Sequence, residues 1–350
     1  MQGISDENLR TPRLMLRTYR ASDHDQIDHL FYSTYFVLVP EGVKSKLKSP
    51  LFWVVWFGFY SYLMAIVPIL LADLSVPSWT STALKVFLTI SWFLVSFAGV
   101  FVFTDRFEAV DQVEQARMND LSDPEIYYLN WIKEEIELEE ESISTSDGKK
   151  RVTFDKDAKP ATEIKRSQKP IEEQTPSHFW VLTLDNKPCG MIGLAHYRER
   201  LYSNRPTQPP AWKLMSAAVL RRYRLPVPEY LNDLYNKMPP NVFAEPHEEK
   251  VATLQRLAIR NEFQGSGLST LLIDRAMVFA HEKGLERVEA VTNELQTKAA
   301  EILRVKHGFT LIKKQKKGWF GQYEKTWSCN VNDWMESHRK EAQTFMPNEQ

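Results

Sequence analysis

The residues with the clearest chemical promise are Leu257, Ala258, Ile259, Arg260, Asn261, Glu262, Phe263, Gln264, Gly265, Ser266, Gly267, Leu268 and Ser269. A strand-like run gives way to a loop with two glycines. An amphipathic helix follows, with Leu271, Leu272, Ile273, Ala276 and Phe279 on its apolar side. Such a loop opens a helix with free backbone N–H groups and the positive end of its dipole, which is what a pyrophosphate needs. Gly265 and Gly267 put no Cβ between the backbone and the phosphate oxygens. Taken by itself, the loop is equally a tight strand-to-helix turn. The three-glycine dinucleotide fingerprint is absent, and so is the Gly-Lys-Ser/Thr of a P-loop.

The elements around this loop form the densest α/β pattern in the chain, over residues 177–328. Two strands flank a hairpin signal at Asp185-Asn186, and a Pro-rich insertion, 198–250, separates them from a third strand, 251–259. Helix 268–283, strand 287–292, helix 297–306 and strand 309–314 follow. A closing strand, 322–328, returns across a turn at 318–321. Residues 12–36 read as a strand over 14–19 and a helix. The helix starts at a capping-box-like Ser22-x-x-Asp25 and carries Ile27, Leu30, Phe31 and Tyr35 on one side.

Two apolar runs intervene. Residues 51–72 hold no charged side chain, and 84–103 hold only Lys85, at the first turn, where a lysine can snorkel. A helix crosses a ~30 Å hydrocarbon core with about 20 apolar residues, so both runs predict spans. Trp53, Trp56 and Trp79 fall near the expected interfaces. A greasy hairpin in a soluble core is the alternative. Lys44, Lys46 and Lys48 precede the first run, while the connecting loop carries no cation before Lys85, which places both flanks in the cytosol. Residues 104–133 read as a helical return. Residues 134–176 read as an acidic, disordered linker, and 329–350 as a polar tail.

Composition narrows the classes further. With 44 basic and 45 acidic residues the net charge is −1, so no nucleic-acid partner is expected. Cys189 and Cys329 are the two cysteines, too few and too far apart for a disulfide scaffold or a zinc site, and no metal is expected. The opening MQGISDENLR has no apolar core and reads as no cleaved signal peptide.

In this context the chain resembles the GNAT superfamily of acyl-CoA-dependent N-acetyltransferases. That family's loop, Gln/Arg-x-x-Gly-x-Gly/Ala, is matched by Gln264, Gly267 and Ser269, with serine as a departure in the last place. Val291-Thr292-Asn293, then Ala299 and Ala300 on a helix ending His307-Gly308-Phe309, match its next strand and helix. Leu16-Arg17-Thr18-Tyr19 with Ser22-Asp23 look like its first strand and helix start. More narrowly, the hairpin together with Phe179-Trp180-Val181 and Gly190-Met191-Ile192-Gly193 resembles the membrane-anchored branch that includes cysteine-S-conjugate N-acetyltransferases.

The resemblance implies a mixed central sheet flanked by helices, an inserted two-helix transmembrane hairpin (51–72 and 84–103), and acetyl-CoA as co-substrate with an amine as acceptor. It implies that Leu257, Ala258 and Ile259 pair with the pantetheine arm, that residues 264–269 hold the diphosphate, and that Asn293 contacts the cofactor. The family commonly has a thiolate-protonating tyrosine where this chain has Arg304. A guanidinium is a poor proton donor, so Arg304 would act electrostatically or lie idle in solvent. Glu249 is the candidate base, with an ordinary loop charge as the alternative. Lipid would contact 51–103, the membrane being the endoplasmic reticulum or another internal one. The insertion would cap the acceptor site, or lie on an anionic membrane face through Arg221, Arg222 and Arg224, or take no part in the chemistry. A catalytically silent acetyl-CoA sensor or scaffold is the competing reading.

Overall fold

The computed structural model describes residues 13–71, 77–137, 162–205, 211–232, 240–317 and 321–345. The chain begins with β1 (Leu14–Thr18), α1 (His24–Phe36) and α2 (Val39–Leu47). Two long helices follow, α3 (Pro50–Leu71) and α4 (Ser78–Thr104). A π turn (Asp105–Ala109) then leads into α5 (Val110–Met118) and α6 (Pro124–Tyr128). Next come β2 (Trp131–Glu137), β3 (Thr162–Gln168), β4 (His178–Leu184), β5 (Lys187–Ala195) and β6 (Leu201–Tyr202). After α7 (Ala211–Arg222), α8 (Glu229–Asn232) and β7 (Val242–Ala244), the chain runs through β8 (Val251–Ile259), α9 (Leu268–Glu282), β9 (Arg287–Asn293) and α10 (Thr297–Lys306). It finishes with β10 (Thr310–Lys316), β11 (Tyr323–Asn330), α11 (Val331–Ser337) and α12 (Arg339–Gln343).

Seven strands form one mixed sheet in the order β1-β4-β5-β8-β9-β11-β10. Only β8 and β9 run parallel, and the other neighbours are antiparallel. β1 lies on the edge, with Leu14 opposite Leu184 and Thr18 opposite Trp180. The segment before the apolar helices and the segment after them are therefore parts of one sheet. Each face of the sheet is covered. On one, Leu272, Ile273, Ala276 and Met277 of α9 pack with Leu303, Phe309 and Trp327. On the other, Ile27, Leu30, Phe31 and Tyr35 of α1 pack with Val113, Tyr128 and Phe179. The apolar spacing of α1 and α9 produces both contacts.

Three expectations differ in detail. The start of α1 is organised by Asp23, not by Ser22 and Asp25. Its carboxylate accepts from the Arg20 N–H at 3.0 Å and from both terminal nitrogens of Arg17, at 2.6 and 2.7 Å. The stretch 134–176 is ordered at both ends, because Trp131–Glu137 and Thr162–Gln168 pair antiparallel as a separate ribbon and 171–173 form a 3-10 turn. Opposite charges face each other across that ribbon at Glu134 and Lys165. Residues 138–161 of the expected linker lie outside the described residues. Of the expected polar tail, residues 330–345 are folded onto the domain: Val331 and Trp334 are 0% and 1% exposed and join the α9 core. Val331 and Trp334, three apart on α11, and Ala342 on α12 are the buried apolar positions within a polar composition.

The two long helices pack on each other through Trp56 and Trp92, with ring centroids 6.1 Å apart, and through a 3.0 Å bond between Tyr60 and Thr89. Both are long and apolar enough to cross a membrane, with mean hydropathy 1.7 and 2.3. Only 6% and 0% of their most apolar windows are buried. Neither is buried in the core of this chain. Lys46, one of the three lysines preceding them, is buried and ion-paired to Glu108, so it adds no free surface charge.

Candidate active site

The pairing of β8 with β9 stops short. Val251 to Leu254 align with Arg287 to Ala290, and beyond Leu254 and Ala290 the two strands part. At Arg256 the backbone of β8 turns into the left-handed region, with φ +54°, and its register against β5 slips. A bulge of this kind re-aims a strand and ends its pairing. The result is a wedge-shaped cavity of about 290 Å³. Gln255, Arg256 and Leu257 line one side; Val291, Thr292 and Asn293 line the other, and Glu324 of β11 adds a carboxylate. Phe31 and Tyr35 of α1, Gln112 and Gln115 of α5, and Phe243 of β7 form the near wall. Gln296, Ala299 and Leu303 close it from the α10 side.

The bulge is held by a buried polar network. Arg256 donates to Asp120 through Nε at 2.7 Å and Nη2 at 2.6 Å, in a bidentate geometry. Tyr128 donates to the same carboxylate at 2.5 Å, and its hydroxyl also meets Gln255 Oε1 at 3.1 Å. Asp120 is wholly buried, so its charge stands only because Arg256 and Tyr128 meet it. Burial and then the Asp120 charge push the Tyr128 hydroxyl well above its usual range. Beside this network His247 accepts the Tyr197 N–H on Nδ1 at 3.0 Å. Its neutral form then carries the proton on Nε2 and donates to Thr253, a cavity residue, at 2.8 Å. Burial, then the neighbouring His196, depresses His247. An imidazole in this tautomer holds Thr253 in place and is a poor base.

At the far end of β8 the loop has the conformation the glycines permit. Gly265 has φ +87° and Gly267 φ +83°, and a Cβ at either would meet only open space. Gly267 is the N-cap of α9, and no side chain caps that helix. The first-turn N–H groups and this open cradle fit a diphosphate. Gln264 braces the loop by donating to Asn261 at 2.9 Å, and Ser266 donates to the Phe263 carbonyl. Leu268 and Ser269 begin α9, whose Ile273 reaches the cavity wall. The loop and the wedge thus share one strand and one helix.

Of the residues singled out from sequence, Leu257 and Asn293 line the cavity, while the Ala258 and Ile259 side chains turn into the two cores. Asn293 Oδ1 accepts the Leu295 N–H at 3.1 Å, tightening the end of β9. Arg304 is exposed on α10 and Glu249 is exposed in the turn before β8; neither lines the cavity. Asp120, Tyr128, Gln255 and Arg256 are not marked by the sequence, and Tyr35 is marked only as part of the apolar side of α1. An arginine inside the run Val251–Ile259 was the one available signal, since a cation in a central strand demands a buried partner.

Residues 235–309 match the acetyltransferase (GNAT) family. That segment holds β8, the glycine loop, α9, β9 and α10, which is the part of the fold that builds the wedge. No curated protein matches the chain. Among solved structures, a GNAT-family acetyltransferase from Staphylococcus aureus Mu50 is similar at 8% identity and a TM-score of 0.36, covering 91% of this chain and 99% of that one. The ribosomal-protein-S18-alanine N-acetyltransferase of Escherichia coli shows 11% identity and a TM-score of 0.26, covering 46% and 72%. A spermidine N-acetyltransferase variant from Vibrio cholerae shows 14% and 0.28, covering 48% and 72%.

Proposed function

We propose that this chain is a membrane-anchored N-acetyltransferase that moves an acetyl group from acetyl-CoA to an amine. The observation that carries the reading is the parting of β8 and β9 beside an uncapped, glycine-opened helix. Backbone N–H groups of residues 264–269 would hold the diphosphate, and the unpaired edge of β8 around Leu257 would take the pantetheine arm as an added strand. A backbone N–H on that edge would face the thioester oxygen, where negative charge develops. The acceptor amine would enter between α1, α5 and β7. Phe243 belongs to the Pro-rich insertion, which supports that segment as a cap on the acceptor side; Arg205 of the same segment is bound to Asp111 and Glu114 of α5.

The exposed, apolar α3 and α4 would cross a bilayer as a hairpin, leaving the catalytic domain in the cytosol, where acetyl-CoA is made available. The endoplasmic reticulum or another internal membrane is the proposed home, and a cysteine-S-conjugate is one acceptor to include among those tested. Purified protein in detergent, titrated with CoA in a calorimeter and then given radiolabelled acetyl-CoA with a panel of amines, tests the reading. Absence of heat on adding CoA would remove it. The second reading, a sensor or scaffold that binds acetyl-CoA without turnover, draws on the exposure of Arg304 and Glu249 away from the cavity. Binding with no transfer to any amine would favour it.

A further inference from the structure

Transfer to an amine must end with a proton on the departing thiol, and Arg304, exposed on α10, cannot readily give one. Three residues of the cavity lining carry a hydroxyl: Tyr35, Thr253 and Thr292. Thr253 accepts from His247 and Thr292 accepts the Trp327 N–H at 2.8 Å, and both are aliphatic alcohols, far weaker acids than a phenol. Tyr35 is the phenol of the lining. It lies on α1, is 7% exposed, and lines the wedge. Its hydroxyl oxygen accepts from Gln296 Nε2 at 2.7 Å, and among the described residues the hydroxyl donates to nothing. A buried O–H with its oxygen fixed and its hydrogen unspent is left to bond a group that enters the cavity.

The fold explains the placement. Gln296 is the N-cap residue of α10, and its own Oε1 accepts from the Asn293 N–H at 3.3 Å, where β9 ends. The next residue back from Tyr35, Thr34, donates its hydroxyl to the Leu30 carbonyl of its own helix at 2.8 Å, with the Ile259 carbonyl of β8 a longer contact at 3.4 Å. Through Gln296, Tyr35 is tied to the end of β9, the strand that forms the far side of the wedge.

We propose that Tyr35 is the catalytic proton donor to the leaving thiolate, supplied from α1 in place of a group on α10. The inference rests on the acetyltransferase reading. In the step, the amine nitrogen bonds to the thioester carbonyl carbon and the carbon–sulfur bond breaks. The phenol gives its proton to the sulfur and regains one from the nitrogen, so the hydroxyl ends the cycle as it began. Burial raises the pKa of Tyr35; the Arg256 charge pulls it down and the Asp120 charge adds to the rise. The phenol is thus kept in the protonated form that the step requires.

The test uses the full chain with Tyr35→Phe, which keeps the ring and its packing on Phe31. The first measurement is of binding alone. Wild-type protein should hold CoA several-fold tighter than desulfo-CoA, about the worth of one hydroxyl hydrogen bond, and in Tyr35→Phe the ratio should fall to about one. The second is the acetyl-transfer rate with thioesters of increasingly acidic thiols. The variant should lose about 10²-fold with acetyl-CoA and progressively less as the thiol needs less help to leave. Gln296→Leu, which breaks the same hydrogen bond but keeps the phenol, should show the wild-type dependence on the leaving group. An unchanged CoA to desulfo-CoA ratio, or a rate loss uniform across thioesters and copied by Gln296→Leu, overturns the assignment. Wild-type protein that binds CoA but transfers nothing removes the enzyme reading itself. Wild-type transfer with a fully active Tyr35→Phe removes only this one.

Discussion

At the scale of single residues, the site depends on groups that cannot be exchanged without leaving another one stranded. Asp120 meets Arg256 and Tyr128 in a dry environment, so Asp120→Ala leaves a cation without its bidentate partner. Breaking such a pair costs about 3–5 kcal/mol, and chemical denaturation of the variant should read a loss of that size. Gly267→Asp places a side chain in the left-handed region and a carboxylate in the proposed phosphate cradle; the CoA dissociation constant should rise at least about tenfold, that is by about 1.4 kcal/mol, in calorimetry. His178 gives a pH signature. Burial, then the charges of Arg275 and Lys283, depress it to about 4 from an ordinary 6.5. A depressed folded-state value means stability is full above about pH 6.5 and falls as the pH drops toward 4, because the unfolded chain takes up the proton first. His178→Gln should flatten the acid side of a melting-temperature profile over that window.

At the scale of elements, the glycine loop, α9 and β9 work because neighbours hold them apart as well as together. The parallel pair β8–β9 is closed at Val251–Arg287 and open past Leu254–Ala290, and a single left-handed residue, Arg256, marks the change. The apolar helices raise a different demand. Ile90 lies in α4 at 57% exposure, with no protein to cover it. An acidic side chain there costs about 2.5–3.5 kcal/mol near the centre of a bilayer. Ile90→Asp should accordingly shift the protein from the carbonate-resistant membrane fraction toward the soluble one. If α4 does not cross a membrane, the same substitution on an exposed helix would change nothing.

At the scale of the whole molecule, the helical hairpin is seated on the α/β domain and not strung from it. A Cβ at Gly42 of α2 would come within 2.4 Å of the Leu295 side chain, just beyond β9, and 2.5 Å of Thr104 at the foot of α4. Glu108, on the π turn below α4, takes Lys46 from α2 and Gln322 from the start of β11. The proposed spans therefore stand on elements next to those lining the wedge. Cys189 and Cys329 are both buried and free, which leaves a quiet background for labelling. In sealed microsomes a cysteine at Thr80 should react only with a reagent that crosses the membrane, and one at Ser22 should react with an impermeant reagent. Equal labelling from outside would defeat the hairpin topology.

What the sequence determined by itself was what repeats locally or declares itself by composition. The strand, glycine loop and helix over 257–282, the Val291-Thr292-Asn293 strand end and the two apolar runs are all local patterns, and each corresponds to an element of the structure. The C-terminal helices were hidden because Val331 and Trp334 are few apolar residues among many polar ones, and burial is decided by neighbours. The ribbon from Trp131–Glu137 to Thr162–Gln168 was hidden because pairing partners far apart in sequence leave no periodic mark. The polar site was the least legible part. Asp120, Tyr128, Gln255 and Arg256 come from α6, β8 and the turn between α5 and α6, and Tyr35 meets Gln296 across most of the chain. Their chemistry exists only because folding removes water from around them and brings opposite charge within hydrogen-bond distance, and no residue type or spacing encodes that in advance.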